Sequence, residues 1–166
     1  MRFPLSAAAI LASLAACGSP QPPALPSGAK ADRIVVVKHQ GWLTAYAGDE
    51  ELVTYFNIGL GNAPDGRKRF EGDGLTPEGD YRIARDAPDS RRLCSLRISF
   101  PNAADLAYAA ARGRTAGGNV EIRGSVALPR NTRDDALYDG GIELSGIEMH
   151  QLCDIVPNDT PITIRP

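Results

Sequence analysis

The stretch Gly72-Asp73-Gly74-Leu75-Thr76-Pro77-Glu78-Gly79-Asp80-Tyr81 decides how the rest of the chain is read. It closes an irregular segment, residues 61–76, whose glycines permit the positive φ angles that other residues avoid. Irregular segments of this length inside a domain are usually functional or disordered. Arg67, Lys68 and Arg69 fall within it and form a candidate anion-binding cluster. The competing reading is a solvated loop carrying charges of both signs.

Strand signals lie on both sides. Upstream, Ile34 to Val37 is a β-branched run, Trp42 to Tyr46 follows a Gly-containing turn, and Glu51 to Leu60 follows Gly48-Asp49. Downstream, Tyr81 to Ala84, Leu93 to Ser99, Val120 to Arg123 and Thr160 to Arg165 carry β-propensity. Two helices are predicted. Asn102 to Arg112 is Ala-rich, with Asn102 as N-cap and Gly113 as the stop. Ser145 to Ile155 begins with Ser145 and Glu148 at capping-box spacing. The expected fold class is mostly β with short helices (α+β), without internal repeats.

The length of 166 residues suits about one domain. A hydrophobic content of 43% is enough for a core and argues against disorder. Lys and Arg total 18 against 20 Asp and Glu, a net charge of −2, so no nucleic-acid partner is expected. No apolar run reaches the roughly 18–20 residues of a membrane span.

Met1-Arg2 is a positive start, Leu5 to Ala16 is an apolar core, and Leu14-Ala15-Ala16-Cys17 follows. Together these resemble a bacterial lipoprotein signal. The resemblance implies a signal peptide over 1–16 and lipid on Cys17. A residue other than Asp after that Cys resembles lipoproteins of the outer membrane, which implies its periplasmic face in a Gram-negative cell. Residues 17–31 read as the lipidated Cys and a linker, with Pro20, Pro22, Pro23 and Pro26 favouring extended chain. Such a linker reaches up to roughly 40 Å. The folded domain is expected over 32–166.

Within that domain, Gly59-Leu60-Gly61, Pro64-Asp65-Gly66-Arg67-Lys68, the segment from Gly72 to Tyr81, Ser95 to Asn102 and Val156 to Ile164 occur in order. They resemble the L,D-transpeptidase catalytic domain, which implies a YkuD-like β-sandwich or barrel. Members of that family remodel peptidoglycan. A Cys thiolate attacks a stem-peptide carbonyl, and a His raises its thiolate content. The family His stands in an Ile-His-Gly strand end, and the Cys in a Gly-Cys-Ile segment some 17–22 residues later. Here those motifs read Ile122-Arg123-Gly124 and Gly140-Gly141-Ile142, with Gly141 eighteen residues beyond Arg123. Arg123 cannot accept a proton at ordinary pH, and Gly141 has no side chain to act as nucleophile. No catalytic residue is therefore assigned; Arg123, Gly124, Gly140 and Gly141 are the expected ligand cleft.

Two roles for Arg123 stay open. It pairs internally with Asp139, Asp135 or Glu121 and plugs the cleft, or it grips a ligand carboxylate bidentately. Cys94 and Cys153 remain beside Cys17 and form either a disulfide or part of the core. His150 and Cys153 share a helical face, which keeps a relocated nucleophile as an alternative. His39 reads as exposed, and Ser145 as a helix cap. No metal or cofactor is expected. The resemblance implies a degenerate, non-catalytic envelope lipoprotein that binds peptidoglycan or its stem peptides, or regulates wall remodelling. The alternative is an active transpeptidase or carboxypeptidase with displaced catalytic groups.

Overall fold

The computed structural model describes residues 22–61, 65–85, 94–125 and 139–166. Eight strands and two helices are found among them. They are β1 (Arg33–Val37), β2 (Trp42–Ala47), β3 (Glu50–Phe56), β4 (Gly79–Ala84), β5 (Ser95–Ile98), α1 (Ala103–Ala110), β6 (Glu121–Gly124), β7 (Ile142–Leu144), α2 (Gly146–Ile155) and β8 (Pro161–Arg165). The strands form one sheet in the order β3-β2-β1-β8-β4-β5-β6-β7. Gly59, just past β3, bridges Glu143 in β7 and brings the two ends of the sheet together. The fold is mostly β with two short helices, as the residue patterns imply.

Alternation explains why these segments pair as they do. In β1, Ile34 and Val36 are buried while Val35 and Val37 are only partly so. One side of the strand therefore faces the core and the register is fixed, because a one-residue slip would reverse the faces. β8 joins β1 in parallel, with Ile162 beside Ile34 and Ile164 beside Val36. Parallel neighbours need a long crossover, and here the chain between them builds the rest of the domain. On the other half of the sheet, Leu96, Ile122 and Ile142 lie in register and are completely buried.

The helices start where their caps require. Asn102 accepts from the amides of Ala104 and Asp105, while Asp105 accepts from the amide of Asn102. Ser145 and Glu148 form the same reciprocal box at the start of α2. Each box satisfies backbone donors that the first helical turn leaves open.

Three boundaries differ from the sequence reading. β3 stops at Phe56 rather than Leu60, because Asn57 takes a φ of 56° and the chain turns toward the Glu143 bridge. β7 was not predicted; its three residues are too few to show alternation. Residues 22–31 do not stand away from the domain as an extended linker. The Ala31 amide donates to the Ile155 carbonyl at 2.8 Å, Gln151 donates to the Pro23 carbonyl at 2.7 Å, and Ala31 is buried. This segment runs along α2.

Cys94 and Cys153 are joined in a disulfide with Cα atoms 6.5 Å apart. The bond ties the start of β5 to α2 across 59 residues. A cross-link over a loop of that length stabilises by about 2–4 kcal/mol, in the main by restricting the unfolded chain. Replacing both cysteines by Ser is expected to lower the thermal midpoint by roughly 6–16 °C. Scanning calorimetry of the oxidised protein and of the double variant checks this, and an unchanged midpoint would show that the bond contributes nothing.

Candidate functional site

The expected cleft residues are brought onto neighbouring strands. Arg123 and Gly124 lie in β6; Gly140 and Gly141 lead directly into β7. These strands are parallel, with Ile122 beside Ile142, Arg123 beside Glu143 and Gly124 beside Leu144. Ile122 and Ile142 point into the core, so Arg123 and Glu143 share the opposite face. Arg123 is half-buried and already engaged with another group of the protein. Of its expected partners, Asp135 lies outside the described residues, and Asp139 gives an oxygen to Lys68 instead.

Gly141 is buried, and Gly140 is held tightly. Gly140 has a φ of 99°, and a Cβ there would stand 2.0 Å from the Leu75 carbonyl oxygen. A Cβ on Gly61 would stand 2.1 Å from the carbonyl oxygen of Gly74. The Gly74-Leu75 backbone is thus wedged between Gly61 and Gly140, and only glycine fits on either side. The Gly61 amide also donates to Thr76 Oγ1 at 3.2 Å.

Buried cations hold this loop in place. The Lys68 side chain has no exposure; its Nζ donates to Asp139 Oδ1 at 2.5 Å, to Asp73 Oδ1 at 3.2 Å and to the Phe70 carbonyl at 3.2 Å. The Asp139 oxygen that meets Lys68 also accepts from the Gly72 amide at 3.0 Å. Lys38, equally buried, donates to Glu78 Oε1 at 2.9 Å, to the Thr76 carbonyl at 3.1 Å and to the Gly66 carbonyl. Arg67 pairs with Asp105 at 2.8 Å. Tyr81 donates to the other Asp105 oxygen at 2.9 Å. Burial, reinforced by Asp105, pushes the Tyr81 hydroxyl well above its ordinary value, so it stays a donor. Burial tends to lower the Arg67 guanidinium, but Asp105 and Tyr81 outweigh it and hold it above its ordinary value.

The anion cluster read from Arg67, Lys68 and Arg69 is accordingly not assembled. Lys68 and Arg67 are consumed by internal carboxylates, and only Arg69 faces elsewhere. The structural role of Lys38, Asp105 and Asp139 was missed from sequence, because the charged partner of each is distant along the chain; that of Asp73, whose partners are local, was missed as well. The nearest signal was three acidic residues and three basic ones crowded between Arg67 and Glu78.

The remaining candidates are quickly placed. Cys153 is in the disulfide, so it presents no thiol beside His150. His150 is exposed, with Nδ1 3.4 Å from Asp154 Oδ2. His39 is exposed and lies 2.7 Å from the Pro166 carbonyl through Nδ1. Cys17 lies outside the described residues. No cluster of three or more potential metal ligands occurs among the described residues, and no helix there is long and apolar enough to cross a membrane.

No family model matches the chain, and no curated protein matches it. Among solved structures, the helical cell shape determining protein Pgp2 from Campylobacter jejuni is similar in fold, with a TM-score of 0.60 and 19% identity over 82% of this chain and 48% of that one. Bd1075 from Bdellovibrio bacteriovorus is similar at a TM-score of 0.54 and 19% identity, over 84% and 49%. An L,D-transpeptidase from Xylanimonas cellulosilytica is a looser match, at a TM-score of 0.48 and 17% identity over 84% and 63%. The chain spans about half the length of the first two proteins, and at these identities the likeness is one of fold.

Two predictions follow from the buried ion cluster. Lys68→Met leaves Asp73 and Asp139 without their cation, and is expected to cost about 3–5 kcal/mol in urea unfolding. An undiminished midpoint would refute that role. Burial tends to raise the Asp73 carboxyl, but the amides of Arg69, Phe70 and Leu75 and the Lys68 charge outweigh it and hold the group below its ordinary value of 3.8. Its contribution to stability is present above that ordinary value and is lost as pH falls through the lower folded value. Unfolding midpoints measured from pH 5 downward are expected to drop below about pH 4, and Asp73→Asn is expected to flatten that drop.

Proposed function

We propose that this chain is a cell-envelope lipoprotein whose L,D-transpeptidase-like domain binds peptidoglycan stem peptides without catalysing their exchange. One observation carries the reading. The position that the sequence resemblance gives to the nucleophile is Gly141, and the position given to its base is Arg123. A glycine forms no acyl-enzyme, and a guanidinium takes no proton. Loss of such a nucleophile costs about a million-fold in comparable hydrolases.

Three further features support the reading. The fold is shared with a cell shape determining protein, which fits a place at the wall. A disulfide belongs to an oxidising compartment such as the periplasm. The other non-lipid cysteine is used in that same bond, which leaves the displaced-nucleophile alternative without a thiol. The lipid on Cys17 belongs to this proposal, as does a location at the periplasmic face of the outer membrane. A regulatory role arises from the same property: a domain that holds a stem peptide without cleaving it withholds that peptide from active enzymes.

The test combines binding and turnover. Purified full chain, incubated with sacculi, is expected to sediment with them. Chromatography of the digested wall is expected to show an unchanged muropeptide profile, with no D-residue released. Turnover of tetrapeptide-bearing muropeptides would overturn the non-catalytic reading. Failure to sediment would overturn binding.

A further inference from the structure

Arg69, Arg112 and Arg114 meet on one side of the domain, where α1 ends and the loop before β4 passes. The Arg112 guanidinium lies 3.6 Å from the Tyr108 ring centroid, and that of Arg69 lies 4.3 Å from the same ring. The Arg114 guanidinium lies 3.7 Å from the Phe70 ring centroid. The two rings are themselves 5.9 Å apart. Three cations therefore share one aromatic pair. Arg112 and Arg114 are exposed, and Arg69 is partly so.

Like charges gathered in this way repel one another, and on an acidic protein they call for an explanation. Internal neutralisation does not supply it. None of the ion pairs among the described residues uses Arg69, Arg112 or Arg114, whereas Arg67 and Lys68 next in sequence both have carboxylate partners. Glu71, the nearest acid along the chain, accepts from the Thr115 hydroxyl at 2.6 Å. Stacking holds a guanidinium by its face and leaves its edge for hydrogen bonds; Arg112 Nη1 donates to the Tyr108 carbonyl at 3.2 Å, and its other edge donors remain for a ligand. Those donors match a carboxylate bidentately.

The patch also adjoins the turn that leads into Gly140 and Gly141, where the cleft is expected. A Cβ on Gly117, three residues after Arg114, would stand 3.0 Å from Glu71 Cα and 3.5 Å from Asp139 Oδ2. Asp139 in turn precedes Gly140 and Gly141. The loop bearing Arg69 and Phe70 is thus packed against the turn that leads into the expected cleft residues Gly140 and Gly141.

We propose that Arg69, Arg112 and Arg114 form a carboxylate-binding surface that extends the cleft and engages peptidoglycan through its stem-peptide carboxylates. This rests on the peptidoglycan-binding reading above and adds where the polyanionic partner is gripped. The occupant is the wall polymer rather than a phosphate-bearing lipid, because the patch is continuous with the cleft.

The experiment measures co-sedimentation of the full chain with sacculi, native and with carboxylates amidated, over a range of salt. The triple variant Arg69→Gln, Arg112→Gln, Arg114→Gln is expected to bind native sacculi at least about tenfold more weakly, with a shallower salt dependence. Amidation is expected to weaken the unmodified protein by a similar factor, and this arm decides the matter if the variant fails to fold. Unchanged binding in either arm, with the unmodified protein still sedimenting, overturns the patch and leaves the reading of the cleft standing. No sedimentation of the unmodified protein overturns that reading itself. Anionic and neutral phosphatidylglycerol-containing and phosphatidylcholine vesicles form the last arm, in which a lipid anchor inserts equally. A charge-dependent gain on the anionic vesicles that exceeds the loss on amidated sacculi assigns the patch to a membrane surface and overturns the proposal.

Discussion

A buried ammonium group governs this domain. Lys68 Nζ is cut off from water and sits between the carboxylates of Asp73 and Asp139. A charge in that position persists only with partners close by. Its partners come from the loop before β4 and from the turn before β7, so the ion cluster fastens two segments whose strands have β5 and β6 between them in the sheet. The wedge of Gly74-Leu75 between Gly61 and Gly140 depends on that fastening. Backbone atoms approach there more closely than any side chain allows.

The same constraint limits the chemistry. Arg67, Lys68, Asp73 and Asp139 neutralise one another or the capping Asp105. They hold the shape of the loop before β4 and of the turn before β7. Tyr81 is likewise committed, since its proton is held by burial and by Asp105. What remains at the strand ends is Arg123, already engaged, and two glycines. Under the proposed reading, rigid geometry around Gly141 serves recognition rather than covalent catalysis.

Sequence made the fold legible where local physics decides it. The β-branched run at Ile34–Val37 and the caps at Asn102 and Ser145 are short-range signals, and each element formed close to its expected bounds. β7 was invisible because three residues cannot display a period. The Asn57 turn was invisible because its cause lies in the bridge from Gly59 to Glu143, far along the chain. The expected cleft rests on comparison of motifs alone, since Arg123 and Gly141 are unremarkable as isolated residues. The ion cluster was half legible. Its cations were noticed as a group, but their pairing is set by the folded arrangement, which sent two of them inward and left Arg69 beside Arg112 and Arg114.

The N-terminal segment changes what a tether can do. An extended chain from Cys17 to the domain would span up to roughly 40 Å. With residues 22–31 laid along α2, only residues 18–21 separate Cys17 from docked chain, which limits the span to roughly 15–18 Å at full extension. Under the lipid-anchor reading, the domain is then held close to the membrane surface. Greater reach requires the segment to leave α2. That would break the bonds from Ala31 to Ile155 and from Gln151 to Pro23, and would expose Ala31 and the apolar contacts of Leu25 and Ala29. Each such hydrogen bond contributes about 0.5–1.5 kcal/mol net, so several must be lost together with apolar burial. Under the lipid-anchor reading, distance from the membrane then depends on whether residues 22–31 stay on α2, and proline content alone does not fix it.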